Sequence, residues 1–204
     1  GGVVGRTGNG GGLRGGVGEK TGGAAVTVVV TFLHGGGKLG GGGYKVAGGL
    51  HGVGASVVNA LSEWLEVEVY HEGTTYYQKF ERGHAVTELM EKCATDRTGT
   101  RVRFKPDPEI FRESTVFDFE TLQTRLREQA FLNAGVNICL SDKRNPEEPV
   151  EDSFCYHGGI SSFVEYINKK RAVELIHPDV MYFSCAAADG NSTAEVAMQY
   201  TDSY

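Results

Sequence analysis

The residues with the clearest chemical potential lie in one glycine-rich run, HGGGKLGGGGYKVAGGLHGVG, which covers residues 34–54. Two glycine clusters surround Lys38, Tyr44 and Lys45, and the run leads into a segment whose apolar stripe predicts a helix beginning near Val53. Glycine lets the backbone adopt positive φ and approach a ligand closely. Free amides and the dipole at a helix start attract anions, and lysines add positive charge. The run therefore predicts a polyphosphate site.

Two familiar phosphate motifs do not explain this run. No GxxxxGK[ST] occurs, and the segment 48–54 does not follow the strand that a dinucleotide-binding GxGxxG requires. Each feature also has an ordinary structural interpretation: the glycines can form a surface loop, His51 can be a packed or solvated side chain, and Tyr44 can serve packing as well as ligand contact. The residue types alone leave these alternatives open.

The composition restricts the class of protein. The chain has 204 residues and a net charge of -6, so no global positive field attracts it to nucleic acid. No apolar run approaches the roughly 18 residues that a membrane-spanning helix needs, which predicts a soluble protein. The four cysteines are far apart and form no zinc-binding pattern, so we predict no metal ligands among them and a reducing, cytoplasmic location.

Glycine is the compositional outlier, with 30 residues that fall mostly before Ala55. A flexible linker over residues 1–54 is one interpretation, but the apolar run AAVTVVVTFL at 24–33 interrupts it and predicts a buried element. The spacing within this run fits either a strand or one face of a helix.

The chain after residue 54 predicts an α+β domain. Leu65, Val67 and Val69 alternate with polar residues, and Glu72-Gly73 predicts a turn into a returning strand over 75–80. One charged and one apolar face is typical of an antiparallel or mixed sheet and disfavours a doubly wound sheet. The further predicted elements are a helix over 54–63, a strand around 102–104, a helix over 118–132, a buried strand over 136–140, a polar loop over 142–152, a short strand at 154–156, a helix over 160–171, a linker over 172–179, and strands over 180–185 and 193–200.

Residues 33–73, LHGGGKLGGGGYKVAGGLHGVGASVVNALSEWLEVEVYHEG, resemble the ATP-lid region of the B subunits of bacterial type II topoisomerases, the family of DNA gyrase and topoisomerase IV. The resemblance continues through TGTRVRF at 98–104, LREQAFL at 126–132, DKR at 142–144 and GGISSFVEYIN at 158–168. It implies the Bergerat-type ATPase fold shared with histidine kinases and MutL, a two-layer α/β sandwich whose mixed sheet is covered by helices on one face. In this family the segment matching 24–33 is a helix.

The resemblance also implies a set of nucleotide-binding residues and no catalytic or metal-binding residue in this chain. Lys38 belongs to the lid with Gly36 and Gly37, Tyr44 touches the adenosine, and Lys45 helps to organise the lid. Thr100 lies at the adenine end. The phosphates are wrapped by Gly49, Leu50, His51, Gly52, Val53 and Gly54, and Gly10 belongs to the adenine motif.

The chain departs from the family at its beginning. The family's Asp-x-Gly-x-Gly adenine motif aligns with GNGGG at 8–12, so the aspartate that accepts from the adenine amino group is replaced by Gly8. The helix that carries the catalytic glutamate and the Mg²⁺-binding asparagine precedes the family segment matched here, so neither residue is assigned.

The implied organisation is an ATPase domain over 1–171 followed from 172 by the start of a transducer domain of the ribosomal protein S5 domain 2-like fold. The implied cofactors are ATP and Mg²⁺. The implied partners are the gyrase A subunit, in a heterotetramer of two A and two B subunits, a second B subunit on ATP binding, and DNA through the full complex. The B subunit of topoisomerase IV and a nucleotide-binding module without turnover remain the alternatives.

We expect no measurable ATPase activity from the 204-residue chain by itself, because the family's base, metal ligand and transducer lysine are not among its matched residues. Phosphate release is compared with a control without protein. Steady turnover that a Tyr44→Ala substitution abolishes contradicts the expectation.

Overall fold

The computed structural model describes residues 4–8, 30–31, 53–188 and 192–203, with the backbone alone for residues 4–8. The chain divides into two compact units, Gly1–Phe117 and Asp118–Tyr204. The domain boundary after residue 171 stays a prediction, because these units are defined by compactness alone. Among the described residues, no helix is both long and apolar enough to cross a membrane.

The first unit is built on one antiparallel sheet. Its described elements are β1 (Val4–Gly8), α1 (Gly54–Ala60), β2 (Ser62–His71), β3 (Thr74–Glu81), β4 (His84–Ala85), β5 (Met90–Ala94) and β6 (Gly99–Pro106). The strand order is β1-β6-β2-β3-β4, and β5 also pairs with β3. Every described pairing in this sheet is antiparallel, which confirms the prediction that the sheet is not doubly wound.

The predicted hairpin is confirmed and forms the centre of the unit. Strands β2 and β3 pair from Leu65–Phe80 to His71–Thr74 around a turn at Glu72-Gly73. Both turn residues have positive φ, 49° at Glu72 and 79° at Gly73, as a tight hairpin connection requires. The inward side chains of β2 meet Phe80 and Val30 in the core cluster, whose buried members are Val30, Leu65, Val67, Val69 and Phe80. Val30 and Thr31 are helical, as predicted, and the rest of 24–33 lies outside the described residues.

The opposite face of β2 carries carboxylates that pair with cations on β5 and β6. Glu68 is bound by Lys92 Nζ at 3.0 Å and lies 3.5 Å from Arg101 Nη1. Glu66 lies 3.2 Å from Arg103 Nη1. Burial raises the pKa of the Glu68 carboxyl, but hydrogen bonds from Lys92 and Tyr70 outweigh it, so this pKa lies below its ordinary value of 4.5.

Helix α1 is shorter than predicted. The sequence predicted a helix over 54–63, but α1 ends at Ala60 and Ser62 already pairs with Pro106 on β6. The next two carbonyls accept hydrogen bonds from outside the helix: Leu61 O from the Asp107 amide at 3.0 Å and Ser62 O from the Arg82 amide at 3.1 Å. Sheet pairing therefore prevails over the helical spacing of apolar residues.

The second unit contains helices and two small sheets. Its described elements are α2 (Phe119–Leu132), β7 (Ile138–Asp142), β8 (Val150–Phe154), α3 (Gly159–Arg171), β9 (Met181–Ala186) and β10 (Thr193–Met198). Strand β7 pairs with β8 and β9 with β10, both antiparallel. The predicted helices and the last two strands are confirmed within one or two residues at most ends.

Sequence features explain why these helices begin and end where they do. Helix α2 begins after Asp118, whose carboxylate accepts from the Thr121 amide at 2.7 Å, a regular N-cap. Helix α3 ends in the cations 169–171, which suit the negative end of the helix dipole. Ala172 follows in the left-handed region at φ 50°.

The prediction of a buried strand over 136–140 is wrong in position and burial. Strand β7 begins two residues later, because the Val136 amide donates to Asn133 O in the turn that ends α2. Val136 itself is exposed, and β7 alternates between exposed and half-buried residues, so only one of its faces is partly covered. Strand β8 starts at Val150, inside the predicted loop, and Tyr156 follows it and stacks on Phe131 at 3.7 Å between ring centroids.

Replacing Glu68 by Gln should lower the free energy of unfolding by about 1 kcal/mol at neutral pH. Because the folded pKa of Glu68 is lowered, its contribution is present above about pH 4.5 and is lost as the pH falls through the folded pKa. The free energy of unfolding of the variant should therefore depend less on pH in the acid range. Urea unfolding followed by Trp64 fluorescence measures this, since Trp64 is the one tryptophan of the chain and lies on β2.

The matched control is Glu88→Gln, which removes an exposed carboxylate from the same unit. An equal loss of stability in both variants contradicts a specific contribution from Glu68.

Candidate functional site

The start of α1 has the features of an anion-binding helix start. Val53 is the N-cap residue with φ -109° and ψ -13°, and it makes no side-chain capping bond. No acidic residue lies in the first turn. The amides of this turn are therefore left without a capping side chain or a repelling carboxylate. This helix has seven residues, so its dipole is small.

Gly54 occupies ordinary helical backbone. Its φ is outside the left-handed region, and no described atom lies within 4 Å of the position that a Cβ would occupy. The glycine-rich run predicted two uses for glycine, a positive φ and a close approach to ligand. At Gly54 the first is wrong, because the residue already forms part of a regular helix, and the second stays a prediction.

Strand pairing brings Gly8 and Thr100 together. Gly8 on the edge strand β1 is the direct partner of Thr100 on β6, and Thr100 is the partner of Val69 on β2. Cross-strand partners lie about 5 Å apart on one face of a sheet. Thr100 shares its face of β6 with Val102 and Phe104, which pack against the core cluster. Gly8, the first residue of the segment matched to the adenine motif, and Thr100, predicted at the adenine end, therefore lie in one row.

The hydroxyl of Thr100 is an unsatisfied group. Its Oγ1 is buried and has no hydrogen-bond partner among the described residues. A buried polar atom without a partner costs about 1–3 kcal/mol, and native structures retain such atoms rarely. A hydroxyl offers one donor and two acceptor sites, so Thr100 is suited to bind a polar ligand group at this end of the sheet.

Asn59 is a buried polar residue that the sequence analysis did not single out. Its side chain is fully buried in α1, and its Nδ2 donates to Val30 O at 2.9 Å and to Gly83 O at 3.2 Å. Its Oδ1 is buried with no partner among the described residues. The sequence offered only a single amide after Val57 and Val58, and the helix in fact buries Ser56 and Asn59 while Val57 is exposed.

The structure describes three of the predicted nucleotide-binding residues. These are Thr100, Val53 and Gly54, and the last two lie on a different element from Thr100. The predicted residues that lie outside the described residues are Gly10, Lys38, Tyr44, Lys45, Gly49, Leu50, His51 and Gly52. Within the described part of the chain, no group of three or more His, Cys, Asp or Glu residues is arranged to hold a metal ion.

The α+β fold with its antiparallel sheet matches that of an ATPase domain of known structure. The ATPase domain of Thermus thermophilus gyrase B, solved in complex with an aminocoumarin, matches with a TM-score of 0.77 and 33% identity over 99% of this chain and 49% of that chain. The chain is 52% identical over 198 residues to the DNA gyrase B subunit of Halalkalibacterium halodurans and 51% identical over 196 residues to that of Enterococcus faecalis.

These alignments cover 97% and 96% of this chain and 30% of each relative. The chain is thus a homologue of the DNA gyrase B subunit and corresponds to the N-terminal ATPase region of that protein. No protein-family model matches it. The resemblance stated from the sequence and the α+β fold class are confirmed, and the assignment of residues after 171 to a transducer domain stays a prediction.

A Gly54→Val substitution tests whether the backbone at the start of α1 touches a phosphate. A Cβ at this position meets no described atom within 4 Å, so weaker binding would report contact with the ligand. We expect ADP and pyrophosphate to shift the amide resonances of residues 53 and 54 in the unsubstituted chain at millimolar or high micromolar ligand, and not in the variant.

The control is Ala55→Val, which places the same β-branched side chain at the next, exposed position of α1. Unchanged binding by Gly54→Val, or equal losses in both variants, contradicts the phosphate assignment.

Proposed function

We propose that this chain forms the nucleotide-binding part of a gyrase B subunit, which binds ATP and couples its hydrolysis to strand passage and negative supercoiling of DNA. The full activity belongs to a longer polypeptide in the relatives, of which this chain spans about 30%. The observation that carries the proposal is the pairing of Gly8 with Thr100. It places the first residue of the segment matched to the adenine motif beside a buried hydroxyl that has no partner among the described residues.

Thr100 fits the adenine end of a bound nucleotide. Its hydroxyl is already buried, so a ligand group that bonds to it replaces an unsatisfied atom rather than a bond to water. Val69 and Val102 flank it on the same face of the sheet and can exclude water from one side of a flat ring. Recognition here depends on hydrogen bonding to the base, which a fixed hydroxyl on a strand can orient.

The phosphates of the nucleotide are proposed to lie at the chain entering α1. ATP supplies the phosphoanhydride bond whose cleavage drives the cycle, and Mg²⁺ is proposed to accompany it. No described residue is assigned as a metal ligand. The proposed phosphate residues are Val53 and Gly54, together with Lys38, Tyr44, Lys45 and 49–52 outside the described residues.

Gly8 favours a second candidate function, nucleotide binding without turnover. A carboxylate at this position would accept from the adenine amino group, and glycine leaves that donor without its partner. The missing hydrogen bond weakens nucleotide binding by about 1–3 kcal/mol, or roughly 5- to 150-fold in affinity. A weak nucleotide site of this kind would still bind phosphate through the backbone at α1.

The partners and location follow from the same proposal. A gyrase A subunit, a second B subunit on ATP binding, and DNA through the complete complex are the proposed partners, in the cytoplasm. The B subunit of topoisomerase IV is the close alternative within the family. Negative supercoiling by the complete complex, as opposed to decatenation alone, distinguishes the two.

A Gly8→Asp substitution tests the adenine assignment by gain of function. We expect the affinity for ADP to rise about 5- to 150-fold, because the new carboxylate accepts from the adenine amino group beside Thr100. Isothermal titration with ADP measures the gain. Inosine diphosphate, which lacks that amino group, should gain much less.

Gly8→Ala is the matched control, since it adds a Cβ at the same strand position without a carboxylate. Equal gains for ADP and inosine diphosphate, or the same gain in Gly8→Ala, contradict the adenine assignment.

A further inference from the structure

The side chain of Asn59 joins three segments of the first unit that are distant in sequence. Its Nδ2 reaches Val30 O at 2.9 Å across 29 residues and Gly83 O at 3.2 Å across 24 residues. Val30 belongs to the helical pair 30–31, and Gly83 lies in the turn between β3 and β4. Both partners are carbonyl oxygens and accept only, so the amide must present its NH₂ group to them.

The hydrogen bond to Val30 links the two ends of the glycine-rich run. Val30 precedes that run in sequence and Asn59 follows it, so one side chain joins the helical residues before residues 34–54 to the helix after them. Val30 is 2% exposed and belongs to the core cluster, which makes it a fixed anchor. Gly83 is equally constrained, because its φ is 87° and a Cβ there would meet Ala60 Cα at 3.4 Å.

Helix α1 depends on such tertiary bonds for its position. An isolated helix of seven residues is not stable in water, since helices shorter than about 12 residues gain too few hydrogen bonds to offset nucleation. Its first turn has no side-chain cap, and Val57 is exposed. Val58 packs against the core cluster, and the Asn59 amide adds the directional bonds that set the rotation and height of the helix.

We infer that Asn59 is a positioning residue for nucleotide binding: it fixes the start of α1 against Val30 and the β3–β4 turn. This inference rests on the proposed function. Asn59 does not touch the nucleotide. It acts through the backbone at residues 53–54, which it holds at a constant position relative to the sheet that carries Thr100.

The unsatisfied oxygen of Asn59 supports this role. Its Oδ1 is fully buried and accepts from no donor among the described residues. An apolar side chain of similar size would remove this orphan acceptor, but it would also take the amide donor away from Val30 O and Gly83 O. The amide keeps this orphan oxygen together with its two donated bonds, so the donors are the part of the side chain that the site uses.

The test compares Asn59→Asp, Asn59→Ala and Ser62→Ala in the 204-residue chain. Aspartate keeps the shape of the side chain and removes both donors, and alanine removes the whole amide while keeping helix propensity. Ser62→Ala is the matched control, because Ser62 is also buried and its Oγ donates to Val58 O at 2.6 Å without connecting to Val30.

Without nucleotide, amide hydrogen exchange over residues 53–60 should be faster in both Asn59 variants than in Ser62→Ala. With ligand, ADP affinity should fall about tenfold or more in the Asn59 variants, and adenosine affinity should change little, because adenosine does not reach α1. Loss of stability alone would weaken both ligands together. In the unsubstituted chain, saturation with ADP should slow the exchange of the Asn59 side-chain amide protons, a measurement that needs no variant to fold.

Unchanged exchange over 53–60, equal losses of ADP and adenosine affinity, or side-chain amide exchange that ADP does not alter overturns the positioning role. Failure of the unsubstituted chain to bind ADP overturns the proposed function, and with it the part of Asn59 in binding. The effect of the Asn59–Val30 hydrogen bond on α1 is tested separately, by the amide hydrogen exchange measured without nucleotide.

Discussion

The two faces of β2 cannot be exchanged. Leu65, Val67 and Val69 are each 1% exposed on one face, while Glu66 and Glu68 pair with cations on the other. A slip of one residue in register would bury the two carboxylates and expose the three apolar side chains. Because β2 pairs with β3 on one edge and β6 on the other, this constraint fixes the register of three strands at once.

The position of Thr100 follows from that register. Once Val67 opposes Val102, Thr100 opposes Val69, and pairing of β6 with β1 then places Gly8 on its other side. The row Gly8, Thr100, Val69 is therefore a consequence of core packing a few residues away. Residues held on neighbouring strands in this way have little freedom to shift, which would suit the recognition of a rigid ring that we propose.

Different interactions hold helix α1 in place. The sheet is fixed by burial and a continuous ladder of hydrogen bonds, whereas α1 is short and relies on Val58 and one buried amide. The position of such a short helix is sensitive to the loss of a single donor. The second unit shows a contrasting solution, in which Phe131 packs against Tyr156 and Phe163 with centroid distances of 3.7 and 4.9 Å.

Local patterns in the sequence determined much of this protein. The alternation of β2, the Glu72-Gly73 turn and the Asp118 cap depend on neighbours within a few residues, so hairpin and helix could be predicted, as could the family. The end of α1 at Ala60 could not be predicted, because the carbonyl groups that follow it accept hydrogen bonds from amides distant in sequence. The late start of β7 could not be predicted either, because the Val136 amide donates to Asn133 O in a turn. The pairing of Gly8 with Thr100 and the bonds of Asn59 join residues that are far apart along the chain, and only the folded chain brings such groups within hydrogen-bonding distance.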